Sequence, residues 1–580
     1  MYSILLPTGE WLDGVPDLGF ELQNTVFSGS DSSVLPGSFS FPAELPTTGK
    51  NLRLLNFAGL VNHAKNPIKL TGVWVYVDGA PFFYGDLTVR GATEQKITVN
   101  IVANFLGTIK DGNLNELDFG GTRSLGANSA AARLTAKDTF QNPANYDFIF
   151  LPVYNPDFLE TPGTTLQSKY TNFYDPATAS FYEGVDSLAA TPFPKLTYLL
   201  SRVFASTDFA FDNRFQPQLS ELANLIFWNN RSIYTTANAW GIDFDLKNHV
   251  AKIGVKDFLR QVASVFNLGL FSNVFSKTVR LISLVELIRR PTGHDWTPFA
   301  LDGVQIDFEE TGAPDGFSFK TADDAVDKIY LDRRDSGLAA KGHVLGEYEF
   351  LGDLQSASPT PTPGHYYVHD RAGYYYHTGI FNEVYFGWQE LGAQPSTYTR
   401  GQRVTGDVFQ PELLPVWDAI RLSHEVPGSS SPYPQTPYVR KPGIVTWTDT
   451  GEEKKQEGDV EMRLLFYRST YPGVSGGNYP LGAGIRYLEG GAGAQVFNNS
   501  LRWDGPYGLY AKFWQPWHEM LKNGKHVSLS LLLPVAELVQ FSFEDKIRVA
   551  GMDYFVKKLR VGKPVGKGKV AVAASLISVI

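Results

Sequence analysis

The sequence predicts a mainly β protein with an α+β part, folded as several domains. Length, aromatic content and turn residues carry this prediction. The chain has 580 residues, which corresponds to about three to five domains. Aromatic residues make up 14% of it, beside 55 Gly and 35 Pro. Because aromatics favour strands while Gly and Pro favour turns, the composition excludes a helical bundle.

Charge and cysteine content exclude several classes of function. The chain has no Cys, which excludes disulfide scaffolds, Cys-ligated metal sites and thiol catalysis. Its net charge of −9 argues against a protein that binds nucleic acid over its whole surface. The first apolar run ends at Pro7 without a basic region before it, so we expect no signal peptide. We also expect no membrane span, because no apolar run approaches about 20 residues.

Strand patterns predict an N-terminal β-barrel domain over residues 1–125. Residues 72–77 alternate in character, and an Asp-Gly pair then turns the chain into residues 81–89. An Asp-Gly pair between two such runs is a strong hairpin signal. Residues 126–195 are rich in Asn, Thr, Ala and Pro, and we predict an irregular connecting region there.

An α+β domain is predicted over residues 196–340. Between 255 and 268 the apolar residues recur with the spacing of one helix face, and Gly269 is placed to end that helix. The residues after it, together with 278–284, are predicted to form a strand pair. A second helix is predicted over 216–227.

Residues 341–400 are predicted to be an inserted aromatic β-module that contains a stiff Pro-rich linker. Aromatic rings exposed on such a module are suited to stacking on sugars. The candidate glycan contacts are Tyr367, Tyr374, Tyr376 and Trp388. The alternative is that these rings form the small core of the module, and their exposure decides between the two.

Residues 401–460 are predicted as linking strands and residues 461–580 as a C-terminal β-barrel domain. A Gly-rich loop is predicted over 473–493, and a helix over 508–521. Strands are predicted at 527–533, 546–549, 554–560 and 570–580.

No catalytic residue is predicted, although two motifs resemble catalytic ones. Residues 473–477 match the G-x-S-x-G elbow, but the Gly and Pro residues that follow exclude the helix that this elbow needs. Asp335 and Asp449 open triplets of the aspartic-protease type. Their surroundings favour ordinary turns, so we expect the chain not to be an enzyme.

The strongest candidates for metal ligands are three histidines of the inserted module: His365, His369 and His377. A zinc site needs three or four ligands, and no carboxylate cluster accompanies these histidines. We therefore predict no metal site. Nucleotide-binding motifs are absent from the sequence, so we predict no cofactor either.

Residues 545–569 carry a net charge of +6, whereas the remainder of the chain carries −15. The candidate partner contacts in this basic segment are Lys557, Lys558, Arg560 and Lys563. Such an asymmetry indicates contact with an acidic partner subunit or with nucleic acid. The alternative is a solvated strand that protects a sheet edge with its Lys side chains. The sequence does not decide between these interpretations.

Stretches at both ends and in the middle of the chain carry a family resemblance. The first stretches are 4–10, 35–43 and 51–57, and the middle one is 255–269. The last stretches are 508–514, 545–549 and 551–558. In this order they resemble the phage tail baseplate hub proteins of Bacteroidota phages. The insert at 341–400 departs from a minimal hub.

The resemblance implies a structural subunit of the virion at the tip of the phage tail. Such hubs are typically homotrimers, in which two β-barrel domains per chain form a pseudo-sixfold ring. The ring joins the sixfold tail tube to a threefold spike or fibre, and it encloses a channel for DNA and the tape-measure protein. The implied partners are further copies of the chain, the tail tube or distal tail protein, spike or fibre proteins and the tape-measure protein. DNA would pass without sequence-specific binding.

Two alternatives stay open at this point. The first is a secreted or surface β-protein that binds or cleaves glycans, a class in which aromatic-rich chains of this length are common. The expected lack of a signal peptide and of a convincing carboxylate pair argues against it. The second is a distal tail ring protein, which shares the barrel architecture.

Overall fold

The computed structural model describes most of the chain before residue 302 and after residue 411, with short strands in between. The described residues are 2–13, 20–23, 39–56, 68–77, 79–103, 109, 111–159, 167–183, 189–207, 209–212, 217–234, 240–273, 278–301, 305–306, 317–319, 343–347, 366–370, 373–377, 384–385, 388–390, 398–400, 412–416, 418–422, 434–445, 458–474, 477–488, 495–503, 507–566 and 568–579.

Strands dominate the described residues, and shorter helices lie between them, which confirms the predicted mainly β class with an α+β part. Strands β1 to β6 are Tyr2–Leu5, Phe20–Gln23, Phe39–Pro46, Lys69–Val77, Ala80–Ala92 and Lys96–Ala103. Strands β7 to β20 are Thr122–Ser124, Phe148–Ile149, Val153–Tyr154, Tyr170–Thr171, Tyr174–Asp175, Ser180–Phe181, Phe193–Pro194, Ala210–Asp212, Leu225–Asn229, Asp243–Asp245, Leu268–Asn273, Thr278–Ser283, Thr292–Asp295 and Gln305–Ile306.

The second half of the chain continues this strand-rich order. Strands β21 to β29 are Phe317–Phe319, His343–Glu347, Tyr366–Asp370, Gly373–His377, Val384–Tyr385, Trp388–Glu390, Tyr398–Arg400, Asp418–Leu422 and Thr436–Tyr438. Strands β30 to β37 are Met462–Val474, Gly477–Ala483, Tyr487–Leu488, Gln495–Val496, His526–Pro534, Lys546–Val549, Met552–Gly566 and Lys569–Ser578. Helices α1 to α7 are Gly49–Leu54, Ser129–Gln141, Leu196–Ala205, Val255–Val265, Leu284–Arg289, Gln515–Asn523 and Val535–Gln540.

The first sheet has the strand order β1-β4-β5-β6-β3 and is antiparallel. The hairpin that the Asp-Gly pair predicts is confirmed as β4 and β5. Gly79 takes a φ of 83° in its turn, a left-handed conformation that glycine adopts without strain. Val73, Val75 and Val77 of β4 are fully buried, so one face of this sheet covers a core.

The second sheet has the order β19-β35-β36-β37-β34-β20, and β2 from the start of the chain also pairs with β36. Val75 of the first sheet belongs to the same buried cluster as Leu531 and Leu559 of the second. The two ends of the chain are predicted as separate barrel domains, whereas in the structure their strands enclose one shared core. Strand β2 connects the two ends of the chain. It pairs with β36 of the second sheet, while β3, the next strand along the chain, belongs to the first sheet.

A larger core lies in the middle of the chain, around helices α2, α3 and α4 and strands β15, β30 and β31. Strand β15 pairs with β30, and β30 pairs with β31. The region predicted as one domain over 461–580 is therefore divided. Its first strands join the central core, while the strands from residue 526 onward line the core shared by the two sheets.

The prediction of a Gly-rich loop over 473–493 is wrong for the first half of that range. Strand β31 occupies Gly477–Ala483 and pairs with β30, and Val474 lies opposite Gly477. An antiparallel pairing of β30 with β31 therefore replaces the first half of the predicted loop. Glycine is tolerated here because Gly482 packs closely against Leu151, which leaves little room for a side chain.

The helix predicted between 255 and 268 is confirmed as α4, with Phe258 and Val262 in its buried stripe. Asn267, not Gly269, takes the left-handed position after the helix end, with a φ of 48°. Gly269 instead lies in β17, where a Cβ atom would meet a neighbouring aromatic ring at 2.6 Å. The predicted strand pair after the helix is confirmed as β17 and β18.

The prediction of a second helix over 216–227 is wrong at the C-terminal end of that range. Pro217–Asn224 forms a 3-10 helix, and Leu225–Asn229 forms strand β15. All five residues of β15 are buried. A continuous apolar run carries no helical period, so pairing with the distant strand β30 decides its conformation.

Helix α2 lies inside the region 126–195, which is predicted to be irregular. The side chain of Asn128 accepts a hydrogen bond from the backbone N–H of Ala131 and caps the helix. Pro143 follows its C-terminal end. An Asn cap before an Ala-rich run is a helix signal, and this signal is present in the sequence.

The predicted elements of the C-terminal part are confirmed, with small shifts at their ends. The helix predicted over 508–521 begins as a π-helical turn, Tyr510–Trp514, and continues as α6. The four predicted strands correspond to β34, β35, β36 and β37.

Candidate assembly surfaces

The four candidate glycan contacts lie on neighbouring strands of the insert, whose sheet has the order β22-β23-β24-β26. Backbone pairing sets Tyr367 of β23 opposite Tyr376 of β24. Tyr374 lies two positions before Tyr376 on the same strand, and Trp388 of β26 pairs with the residue after Tyr376. The register thus aligns Tyr367, Tyr374 and Tyr376 at alternate positions, whereas Trp388 is one position out of step with them, and glycan contact stays a prediction.

All four candidate partner contacts of the basic segment lie on β36: Lys557, Lys558, Arg560 and Lys563. This strand is interior, because it pairs with β37 on one side and with β35 and β2 on the other. At Lys558 and Arg560, ladder partners are present on both sides of β36, so protection of a sheet edge is wrong for these two positions.

Lys558 and Arg560 face away from the shared core, since Leu559 between them is fully buried in it. On β37, Ser575 is in register with Lys558 and Ala573 with Arg560, and on β2, Gln23 is in register with Lys558 and Glu21 with Arg560. The same two rows continue onto β34. We call this surface the basic face, and its register positions are Glu21, Gln23, Ser528, Ser530, Lys558, Arg560, Ala573 and Ser575.

Two further cations of the basic segment, Lys546 and Arg548, also contact groups within the fold. Lys546 is buried, and its Nζ donates to the carbonyl oxygen of Ile288 at 3.0 Å. Burial lowers the pKa of Lys546. Arg548 donates from Nε to Asp553 at 2.9 Å.

A buried carboxylate that the sequence does not single out joins the central core to the second sheet. The Glu544 side chain is only 8% exposed and pairs with both Arg280 of β18 and Arg290, which follows α5. The Nη1 atom of Arg290 lies 2.8 Å from Oε2 of Glu544. Because the three residues come from both parts of the fold, they fix the position of one part against the other.

A stripe of aromatic rings crosses the outward face of the first sheet. Trp74 packs on Tyr84 with ring centroids 4.8 Å apart, and Trp11 packs on Tyr76 at 5.0 Å. Trp74 and Tyr76 alternate with the buried valines of β4, so the alternation that predicts the strand also signals this aromatic stripe. Trp11 remains 42% exposed. Aromatic residues of this kind are enriched in protein interfaces.

The serine of the G-x-S-x-G motif, Ser475, lies outside the described residues. Strand β30 ends at Val474 and β31 begins at Gly477, whereas the nucleophile elbow requires a helix after the serine. The candidates Asp335, Asp449 and His365 lie outside the described residues. Within the described part of the chain, no group of three or more acidic or histidine residues is arranged to hold a metal ion. Over the same residues, no helix is long and apolar enough to cross a membrane.

Two histidines are buried in the fold. Burial, aided by the charge of Arg231, lowers the pKa of His249 to about 3, and its Nδ1 lies 3.1 Å from Oδ1 of Asn229. Burial alone lowers the pKa of His518 to about 3, and its ring packs 5.3 Å from Trp514. Burial therefore favours the neutral form of both rings near pH 7.

No protein-family model matches this chain, and no curated protein sequence matches it either. Among solved structures, the chain aligns with the 43 kDa tail protein of prophage MuSo2 from Shewanella oneidensis. That protein is 7% identical, the TM-score is 0.31, and the alignment covers 100% of this chain and 98% of that chain. It also aligns with the tail protein from Neisseria meningitidis MC58, with 8% identity, a TM-score of 0.27 and coverage of 99% and 95%. TM-scores this low do not establish a shared fold.

Proposed function

We propose that this chain is a structural subunit of a bacteriophage tail, and that it acts as a trimeric baseplate hub at the tail tip. Three copies would form a ring between the sixfold tail tube and a threefold spike or fibre. The ring would enclose the channel for DNA and the tape-measure protein. Assembly, with no chemical step, would be the whole activity of the chain.

The observation that carries this proposal is the unit built from both ends of the chain. Its two sheets close over one core and turn two unlike surfaces outward, the aromatic stripe and the basic face. Of the stripe, Trp11 is exposed and Trp74, Tyr76 and Tyr84 are half-buried, and aromatic residues grouped in this way on one sheet face are enriched at interfaces. A subunit that must contact neighbours on several sides needs such surfaces, whereas an enzyme needs a pocket with convergent polar groups.

The buried junction supports the same role. Glu544 and its two arginines lock the sheets to the central core, so a force on one part is transmitted to the other. The net charge of −9 also suits a channel for DNA, because a negative wall repels phosphates and prevents sticking.

Localisation on the particle tests the proposal. Virions would be labelled with gold-conjugated antibodies against the purified chain and imaged by electron microscopy. The proposal expects label at the tail tip only. Label along the tube or absence from the particle would contradict it, and label at the end of the tube above the tip would favour the distal tail ring protein.

Glycan binding is a second candidate function, favoured by the backbone register that aligns three tyrosines of the insert at alternate positions. The full chain would be applied to a glycan array beside a variant with Tyr374→Ala and Tyr376→Ala. Binding that the variant loses would assign receptor contact to the insert of a hub. Hydrolysis of a glycan by the full chain would contradict the structural role.

A further inference from the structure

We propose that strand β25 is a releasable latch, which holds the insert against the central part of the fold and opens to let the insert move on a stem. The stem is the antiparallel pair of β21 with β27, in which Phe317–Phe319 lies opposite Tyr398–Arg400. This device belongs to the single chain, so the inference goes beyond the proposed hub and does not depend on the ring.

The insert has a docked position against the central part of the fold. Its strand Val384–Tyr385, which is β25, pairs with β28 and becomes the last strand of the sheet β10-β9-β29-β28-β25. The other four strands of that sheet lie outside the insert, and Val153 of β9 and Ala419 of β28 belong to the central core. Strand β26 of the insert also lies beside β28 and β32. One strand of the insert therefore completes a sheet of the central part.

The latch is shorter than the pairings that must stay closed. Among the described residues, two residue pairs join β25 to β28, Val384 with Leu422 and Tyr385 with Arg421. Three pairs close the stem, and four pairs join β23 to β24 inside the insert. Each backbone hydrogen bond contributes little net free energy, because separated strands bond to water instead. The latch is therefore the first of these pairings to open, with an open population on the order of 0.1–10%.

Both sides of the latch keep their own support when it opens. Strand β28 pairs with β29 through Asp418, Ala419 and Ile420. Just before β28, the backbone N–H of Val416 donates to the carbonyl oxygen of Leu464 at 2.9 Å. On the other side, the sheet of the insert has the order β22-β23-β24-β26 and does not include β25. Opening therefore breaks neither the central core nor the sheet of the insert.

The length of chain at the base of the insert allows the stem to move. Residues 307–316 separate β20 from β21, and residues 401–411 separate β27 from Glu412. The carboxylate of Glu412 accepts a hydrogen bond from Nε2 of Gln261 on α4 at 2.9 Å. The shorter connection has about ten residues, which span up to about 33–36 Å. The stem can therefore leave the docked position while β20 and Glu412 stay in place.

Engineered cysteine pairs test the latch, since the chain has no Cys of its own. One variant combines Val384→Cys with Leu422→Cys, and another combines Tyr385→Cys with Arg421→Cys. Neighbouring pairs of an antiparallel ladder alternate between wide and close spacing, so one of the two variants suits a disulfide. The matched control combines Val384→Cys with Asp418→Cys, because position 418 lies about 13 Å along β28 from position 422. Hydrogen exchange, measured by mass spectrometry on wild type and on the oxidised variant, then reports opening.

The inference expects one of the two pairs to form a disulfide within the chain, while the control stays reduced. Wild-type amides of β25 should exchange about tenfold or more faster than those of β23 and β24. The disulfide should slow exchange in β25 about tenfold or more and leave β23 and β24 unchanged. Each of these results supports the latch.

Three results would overturn the inference. If neither pair forms a disulfide, the insert does not occupy the docked position. If β25 exchanges no faster than β23 and β24, the insert leaves that position only by unfolding as a whole. If the disulfides join two chains, β25 pairs with a neighbouring copy and not within its own chain. The proposed hub is tested separately, by antibody labelling of the particle, and stands in all three cases.

Discussion

Arg290 holds Glu544 across the junction between the central core and the second sheet, with 2.8 Å between Nη1 and Oε2. Glu544 is nearly buried and Arg280 pairs with it from the other side. Removal of this carboxylate leaves two arginines without their shared partner. We expect Glu544→Ala to lower the free energy of unfolding by about 2–4 kcal/mol, measured by urea denaturation.

The matched control for this junction is Glu519→Ala. Glu519 is exposed on α6 and accepts a hydrogen bond from Gln515, so its loss should cost no more than about 0.5 kcal/mol. Equal effects of the two substitutions would show that the junction does not hold the two parts together.

The buried histidines make stability depend on pH. His249 and His518 have folded-state pKa values of about 3, below about 6.5 in the unfolded chain. Below that pH the unfolded state binds more protons, so stability is complete above about pH 6.5 and falls as pH drops toward 3. Each histidine contributes a slope of at most about 1.4 kcal/mol per pH unit.

Urea denaturation at pH 7 and at pH 5 measures this slope. His518→Gln should flatten it, and the double variant with His249→Gln should flatten it further. A slope that neither substitution changes would contradict the neutral, buried state of the two rings.

The hairpin between β35 and β36 contains a strained alanine. Ala550 has a φ of 50° and Gly551 a φ of 82°, and Val549 pairs with Met552 across this two-residue turn. Left-handed conformations suit glycine and strain alanine. Ala550→Gly should therefore raise the free energy of unfolding by about 0.5–1 kcal/mol, and Gly551→Ala should lower it by about 1 kcal/mol. The same sign for both substitutions would contradict this geometry.

The aromatic stripe is expected to matter more for assembly than for folding. Trp11 is 42% exposed and packs on Tyr76. Trp11→Ala should raise the dissociation constant of the ring about tenfold or more while the chain stays folded. Mass photometry and circular dichroism measure the two effects. Leu134→Ala, at an apolar position 67% exposed on α2, is the control and should leave assembly unchanged.

Local chemistry allows part of this fold to be predicted. The β4–β5 hairpin follows from an Asp-Gly turn between two strands, and α4 follows from apolar residues spaced along one helix face. Both signals lie within about 20 residues of sequence. The alternating pattern of β4 likewise indicates the aromatic stripe, because Trp74 and Tyr76 occupy the positions between its buried valines.

Long-range pairing is what the sequence does not reveal. Leu225–Asn229 becomes a strand because its partner lies at Met462–Val474, and no local period distinguishes it from a helix. The Arg280–Glu544 pair joins residues 264 positions apart. The interior position of β36, which decides between the interpretations of the basic segment, also depends on a partner strand at Phe20–Gln23.

The most direct test of the account is cryo-electron microscopy of the full chain mixed with the tail-tube protein of the same phage. The account predicts class averages of a threefold ring of three 64.3 kDa chains, with an open central channel and the sixfold tube on one side. Single chains that bind no tube protein at any concentration would contradict it.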